Sequence, residues 1–186
     1  HGPYHEVPEK YRNIYKNTPI DTLLNRPNVP DGKPGDIGRR NVKDYFACVS
    51  GVDEQIGKIL NKLEETGQAE NTIVVFTADH GEMMGSHGLL QKVVWYEESF
   101  RVPFIIRWPE EMKPGNNDLH LSVPDLMPTL LSLMGMKDKM PNDIEGNDYS
   151  KTFLGIQEEK PEFALYINSS FPSALGGMRG LRNDRY

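Results

Sequence analysis

A short apolar run that ends in polar residues is the feature that most limits how this chain can fold. Residues 72–76 are apolar or β-branched, and Ala78, Asp79, His80 and Gly81 follow them closely. A buried strand of this kind delivers polar side chains to the carboxyl edge of a sheet, where open α/β sheets bind ligands. A carboxylate beside an imidazole offers one oxygen and one nitrogen donor, so the pattern predicts a divalent cation at Asp79 and His80.

A lysine follows this pair at a spacing that suggests an anionic substrate. Lys92 stands twelve residues after His80, and no carboxylate follows it until Glu97. Most loop lysines are simply solvated, but this one has apolar neighbours, namely Leu89, Leu90, Val93, Val94 and Trp95. A partly shielded ammonium near a metal-held anion would favour metal-assisted attack on an anionic ester.

The order and spacing of these residues resemble the sulfatases of the alkaline phosphatase superfamily. The segments that carry the resemblance are TADHGE at 77–82, GSHG at 85–88, Lys92, YEES at 96–99 and RVPFII at 101–106. Residues 1–4 resemble the family's His-x-Pro segment, and residues 122–135 resemble its Val-x-Asp-x-x-Pro-Thr-Leu helix. The resemblance reaches nearly end to end but does not include the family's front half.

The resemblance implies an α/β fold, an alkaline-phosphatase-like mixed sheet flanked by helices and present only in part. It places residues 1–136 in the C-terminal half of the catalytic domain. Residues 137–186 would form a linker and the start of a small α+β C-terminal subdomain. Because the chain begins at His1 without Met, we expect its true N-terminus to be missing, and we expect the final sheet to be cut short at Tyr186.

The resemblance also implies hydrolysis of a sulfate ester by a formylglycine nucleophile and a divalent metal, Ca²⁺ or alternatively Mg²⁺. Asp79 and His80 would be metal ligands, and Lys92 would bind sulfate and assist the leaving oxygen. His1 would also reach the sulfate, although a frayed terminal residue is an equally good interpretation. The expected partners are a sulfated small molecule or glycan and the missing N-terminal half of the same protein.

The single cysteine does not fit the nucleophile's position. The family oxidises the cysteine of a Cys-x-Pro-Ser-Arg motif to formylglycine, whereas Cys48 is followed by Val, Ser and Gly. No neighbouring histidine or basic residue would lower the pKa of its thiol, so a structural role is predicted. The nucleophile is therefore expected in the half of the protein that this sequence does not contain.

Two other functions stay open from the sequence. A phosphodiesterase or phosphonate monoester hydrolase of the same superfamily would keep Asp79 and His80, and the identity of the nucleophile would distinguish it. A non-catalytic structural module would also be consistent with the absent front half. Among the remaining polar residues, Glu82 is interpreted as a loop residue or part of an outer layer around the metal. His87 is predicted to pack its loop, and His120 is given no role.

Composition argues against some partners. The chain has 27 acidic and 21 basic residues, a net charge of −6, and no Lys/Arg cluster, which disfavours a nucleic-acid partner. No apolar run reaches the roughly 18 residues of a membrane span, so no membrane segment is predicted. One cysteine cannot form an internal disulfide, and it leaves the localisation undecided.

Periodicity and turn residues predict the remaining elements. Residues 1–34 read as a long surface loop, and apolar steps of three and four predict a helix over residues 40–66 that Gly67 ends. The elements that follow are, in chain order, strand 72–78, helix 95–101, strand 103–108, helix 124–134 and short strands at 163–167 and 177–181. A polar linker is predicted over 137–149, with residues 144–146 over the substrate by family resemblance.

Overall fold

A computed structural model describes residues 3–157, 160–168 and 178–185. His1 and its predicted role lie outside the described residues. Contacts divide the chain into two units, His1–Glu70 with Val74–Ile106, and Asn71–Ile73 with Arg107–Tyr186. The boundary expected between residues 136 and 137 stays a prediction.

One long helix organises the first unit. Helix α3 spans Lys33–Glu65, and the short helices α1 (Glu9–Tyr15) and α2 (Ile20–Leu23) pack against it. It begins seven residues before the predicted start, because Pro34 in the first turn suits a helix even where no apolar stripe marks one.

The prediction of a loop over residues 1–34 is wrong at α1 and α2. Helices of seven and four residues are too short to show an apolar stripe, and such helices depend on packing for stability. Tyr11 of α1 is buried, and a Cβ built on Gly51 of α3 would lie 3.2 Å from its ring. The two helices thus exist because α3 offers them a surface.

The core of the first unit lies at the N-terminal half of α3. Tyr4, Val42 and Met84 are buried there, and they pack with Leu23, Leu24, Tyr45, Phe46 and Leu90. The predicted apolar stripe of α3 continues beyond this core, but Val52 is 56% exposed and Ile59 is 62% exposed. Within the stripe Val42 is fully buried, whereas Val49, Val52 and Ile59 are exposed.

A two-stranded sheet carries the polar turn. Strand β1 (Val74–Thr77) and strand β2 (Phe104–Arg107) are neighbours, and helix α4 (Glu97–Phe100) lies between them in sequence. All three elements were predicted, each longer than observed, as is usual at the ends of elements.

Helix α5 (Val123–Leu133) organises the second unit. A capping box starts it, in which the Ser122 backbone N–H donates to Asp125 Oδ2 at 2.8 Å. Asp125 Oδ1 also accepts the Asn147 N–H at 2.8 Å, and Thr129 Oγ1 accepts the Tyr149 N–H at 3.0 Å. The C-terminal end of the segment predicted as a linker is therefore hydrogen-bonded to α5.

The rest of the second unit consists of short elements. Helix α6 (Ser150–Phe153) was not predicted, because four residues show no periodicity. Strand β3 (Ala164–Asn168) pairs antiparallel with strand β4 (Met178–Arg182), each one residue later than predicted. His120 Nε2 lies 3.0 Å from Asp184 Oδ1, so this histidine contacts the segment that follows β4.

Within the described part of the chain, no helix combines the length and the apolar character needed to cross a membrane.

Candidate active site

The Asp79–His80 pair directly follows the end of β1. The Asp79 side chain is 80% exposed and that of His80 is 25% exposed. Asp79 Oδ1 accepts the His80 backbone N–H at 3.0 Å, and Asp79 Oδ2 lies 3.5 Å from His80 Nε2. The turn therefore holds a carboxylate oxygen and an imidazole nitrogen side by side.

The other ring nitrogen of His80 fixes the orientation of the imidazole. His80 Nδ1 lies 2.8 Å from the carbonyl oxygen of Gly81. Because a carbonyl oxygen can only accept, Nδ1 carries a proton, and in the neutral ring Nε2 then has a lone pair. This lone pair and the Asp79 carboxylate face each other, an arrangement that a bound cation would stabilise.

Asp79 and His80 fit part of a metal site rather than a whole one. Ca²⁺ takes about six to eight oxygen ligands. In residues 3–157, 160–168 and 178–185, no group of three or more His, Cys, Asp or Glu side chains is placed to hold a metal. Any further ligands would have to come from other groups.

A close backbone approach holds the polar turn against α4. The Gly81 N–H donates to the Ser99 carbonyl oxygen at 2.8 Å. A Cβ at position 81 would collide with the carbonyl oxygen of Glu98, so only glycine fits there. Gly81 is thereby fixed to α4, the helix that follows Lys92 in the chain.

Lys92 is half-buried, as its apolar neighbours predicted. The residues on either side, Gln91 and Val93, have left-handed backbones with φ of 68° and 77°. Such a conformation is costly for a β-branched residue and persists only where surrounding contacts impose it. The backbone on both sides of Lys92 is therefore held by its surroundings.

Ser99 joins the two candidate segments. Its carbonyl oxygen accepts the Gly81 N–H at 2.8 Å, and its hydroxyl oxygen accepts the Val93 N–H at 3.2 Å. Ser99 is 4% exposed, and its hydrogen bond to Val93 is partly buried. The residue after the Asp79–His80 pair and the residue after Lys92 thus share one partner.

Glu82 is a buried carboxylate at the centre of the loop. Its Oε2 accepts the Tyr4 hydroxyl at 2.7 Å, and its Oε1 accepts the backbone N–H groups of Met84 and Gln91. Burial and the hydrogen bond to Glu82 raise the pKa of the Tyr4 hydroxyl, which keeps its proton. From the sequence, Glu82 is interpreted as a loop residue or part of an outer layer around the metal, and its hydrogen bond to Tyr4, 78 residues away, was not predicted.

Arg26 supports the same loop from a distant part of the chain. Its Nη1 lies 3.2 Å from the carbonyl oxygens of Glu82 and Met83 and 3.3 Å from the Ser86 hydroxyl. Arg26 was not predicted as part of the site. It stands 56 residues before Glu82 in a segment read as loop, so no local pattern connects the two.

His87 packs its loop, as predicted. Its ring stacks on Tyr96 at a centroid distance of 3.8 Å, and its backbone N–H donates to the Asn28 carbonyl oxygen at 2.8 Å. Asn28 Nδ2 also donates to Glu98. Burial alone would raise the pKa of the Glu98 carboxyl, but hydrogen bonds from Asn28 and the backbone outweigh it, and the pKa is lowered.

Cys48 lies in the middle of α3. Its thiol is 3.7 Å from the carbonyl oxygen of Tyr4, and burial raises the pKa of the thiol. A raised thiol pKa disfavours the reactive thiolate. The structural role predicted for this cysteine agrees with both observations.

Comparison with known proteins gives one consistent family. A family model described as Sulfatase matches residues 1–136. The chain is 38% identical to an endo-4-O-sulfatase of Bacteroides thetaiotaomicron, covering 100% of this chain and 39% of that protein. It is also 38% identical to an ulvan-active sulfatase of Formosa agariphila, covering 90% of this chain and 32% of that protein.

Solved structures agree with these relatives. A Bacteroides fragilis protein described as the sulfatase yidJ superposes with a TM-score of 0.91 at 39% identity, over 99% of this chain and 40% of that one. A phosphonate monoester hydrolase of Agrobacterium radiobacter gives 0.70 at 26% identity, over 80% of this chain and 32% of that one. The chain thus spans between about a third and two fifths of these proteins, and the α/β fold of the alkaline phosphatase superfamily is confirmed.

Proposed function

This chain belongs to the sulfatase family, and from that membership we propose that the complete protein containing it hydrolyses sulfate esters. The named relatives are sulfatases, one of them ulvan-active. A sulfated glycan or a sulfated small molecule is therefore the proposed substrate class.

One observation from the geometry supports this proposal above all others. Gly81 and Val93 follow the metal-binding pair and the lysine, and both donate to Ser99. A candidate cation site and a half-buried lysine are thus built on mutually fixed segments. Such a pair suits an anion whose negative charge grows as its ester bond breaks.

Asp79 and His80 are the proposed ligands of a divalent metal, Ca²⁺ or Mg²⁺. When bound, the metal would polarise a sulfate oxygen and neutralise charge on it. Asp79 would contribute a carboxylate oxygen, and the hydrogen bond from His80 Nδ1 to Gly81 would keep Nε2 directed at the same point.

Lys92 is the proposed sulfate-binding residue. Its ammonium would neutralise the sulfate oxygens and the leaving oxygen during cleavage of the S–O bond. By family resemblance His1 would contact the same group. The nucleophile would be a formylglycine, which Cys48 does not supply because it lacks the modification motif.

A phosphonate monoester hydrolase is the second candidate, because the Agrobacterium radiobacter enzyme shares the fold at 26% identity. A substrate panel distinguishes the two. The complete protein should be assayed with a 4-nitrophenyl sulfate, a sulfated disaccharide, a phenyl phosphonate monoester and a phosphate diester, with the Asp79→Ala variant as the control. We expect the highest kcat/KM on a sulfate ester. Faster turnover of the phosphonate would overturn the sulfatase proposal.

A further inference from the structure

We propose that Glu82 is a positioning residue that sets the place of Lys92 in the active site. This inference rests on the proposed function, since it assigns a role relative to the sulfate-binding lysine. Glu82 stands three residues after Asp79 and ten before Lys92, so it connects both halves of the site.

The Glu82 carboxylate holds three segments at once. It accepts the hydroxyl of Tyr4 at 2.7 Å, the backbone N–H of Met84 at 3.2 Å and the backbone N–H of Gln91. The last of these residues directly precedes Lys92. Glu82 is 9% exposed, its hydrogen bonds to Tyr4 and Met84 are buried, and the one to Gln91 is partly buried, which limits competition from water.

The segment around Lys92 has a backbone that needs such support. Gln91 and Val93 are both left-handed, with φ of 68° and 77°. Besides its bond to Glu82, Gln91 accepts the Met83 N–H at 2.8 Å through its carbonyl oxygen. Glu82 thus fixes the residue before the lysine, and Ser99 fixes the residue after it.

The chemistry of the carboxylate suits this role better than another side chain would. Two acceptor oxygens serve three donors, and an ionised carboxylate accepts hydrogen bonds but donates none. Glutamine would keep one acceptor oxygen for Met84 and Gln91 and would offer an amide to Tyr4, whose hydroxyl can accept as well as donate. Alanine would leave all three donors without this acceptor, two of them in a buried setting.

A purely structural role predicts different kinetics from a positioning role. If Glu82 only stabilises the fold, its loss lowers thermal stability, and the active fraction keeps its rate constants. If Glu82 acts through Lys92, its loss lowers kcat only while Lys92 is present. A double-mutant cycle separates the two cases.

The experiment measures kcat and KM for a 4-nitrophenyl sulfate in the complete protein and in Glu82→Ala, Lys92→Ala and the double variant. We expect Glu82→Ala to lower kcat about 10-fold to 100-fold with a smaller change in KM. In the Lys92→Ala background, the same substitution should lower kcat by less than about threefold. Glu82→Gln should recover most of the rate. Glu54→Ala, which removes an exposed carboxylate bound to Lys10 and Lys58, serves as the control and should match wild type.

The outcomes distinguish failure of the positioning role from failure of the sulfatase proposal. Multiplicative losses in the double variant would overturn the positioning role while leaving the sulfatase proposal intact. No hydrolysis of any sulfate ester by the wild-type protein would overturn both. Should Glu82→Ala fail to fold, the same cycle is run with Glu82→Asp, whose shorter side chain draws the carboxylate away from Gln91. A several-fold loss that disappears without Lys92 is then expected, and an unchanged rate would reject the inference.

Discussion

At the scale of single residues, the candidate site combines one exposed group with several shielded ones. Asp79 projects into solvent, whereas Lys92 is half-buried and Glu82 is buried. An exposed carboxylate can exchange water for a cation at little cost, while a shielded ammonium interacts more strongly with an anion than a solvated one does. The exposed Asp79 and the half-buried Lys92 therefore have the degrees of exposure that suit a metal ligand and an anion-binding group.

Lys92→Ala tests the role of the ammonium. In the complete protein we expect kcat for aryl sulfates to fall by roughly 10² to 10³, the range for loss of one preorganised electrostatic group. The loss should shrink for esters of more acidic phenols, which need less help in leaving. Steady-state kinetics across phenols of graded pKa would measure this dependence.

The matched control is Lys113→Ala, which removes an exposed loop lysine. It should leave kcat and KM unchanged, and its effect on stability should stay within about 0.5 kcal/mol. If Lys92→Ala kept wild-type kinetics with the sulfate ester of every phenol, the proposed role of Lys92 would be rejected.

At the scale of elements, α5 illustrates how one side chain can organise a segment. Asp125 accepts the Ser122 N–H in the capping box and the Asn147 N–H from the following loop, and it is 5% exposed. Its removal leaves two donors without their acceptor.

We expect Asp125→Ala to lower the free energy of unfolding by about 2–4 kcal/mol, the sum of a lost cap and a buried unsatisfied donor. Denaturant unfolding followed by circular dichroism would measure the change. Asp118→Ala, at an exposed aspartate before α5, is the control and should cost no more than about 0.5 kcal/mol. Equal effects of the two substitutions would contradict the anchoring role.

Asp148 predicts a pH dependence for the same region. Burial alone would raise the pKa of this carboxyl, but hydrogen bonds from Ser132 and Ser150 and the nearby Lys137 ammonium lower it below the ordinary 3.8. A carboxyl whose pKa is lower in the folded state stabilises the fold above its unfolded pKa. That contribution is lost as the pH falls through the folded pKa.

The difference in unfolding free energy between wild type and Asp148→Asn should therefore be largest near neutral pH and should shrink below about pH 4. Urea titrations from pH 7 to pH 2.5 would show this trend. A difference that stays constant with pH would mean that the ionised carboxyl contributes nothing.

The sequence predicted most elements but not the contacts that connect them. The apolar run before Asp79 and the stripe of α3 are local patterns, so the strand and the helix could be read directly. The loop held by Arg26 and Glu82 depends on contacts 56 residues apart, and α1 exists only because it packs on α3. No local pattern contains that information.

At the scale of the whole molecule, the chain spans 39% of its Bacteroides thetaiotaomicron relative, and its one cysteine lacks the modification motif. We therefore expect the 186-residue chain alone to hydrolyse no sulfate ester at an enzymatic rate. Incubation of the purified chain with an aryl sulfate, with the complete protein as the positive control, would test this. Turnover that Asp79→Ala abolishes would contradict it.

Metal binding by the chain alone should also be weak. Asp79 and His80 supply two donors, against the roughly six to eight that Ca²⁺ requires. Calorimetric titration with CaCl₂ should give a dissociation constant well above the micromolar range. Sub-micromolar binding would show that this chain holds a complete calcium site.

The double hydrogen bonding of Ser99 has a consequence for how the site moves in time. Two backbone amides, of Gly81 and Val93, end on this one residue, so an outward fluctuation of α4 must release both together. Their amide protons should then exchange with deuterium at similar rates, as members of one cooperative opening unit. The Asp79–His80 turn and the Lys92 segment are thus tied together through Ser99 while α4 stays in place, and an opening of α4 would free both at once.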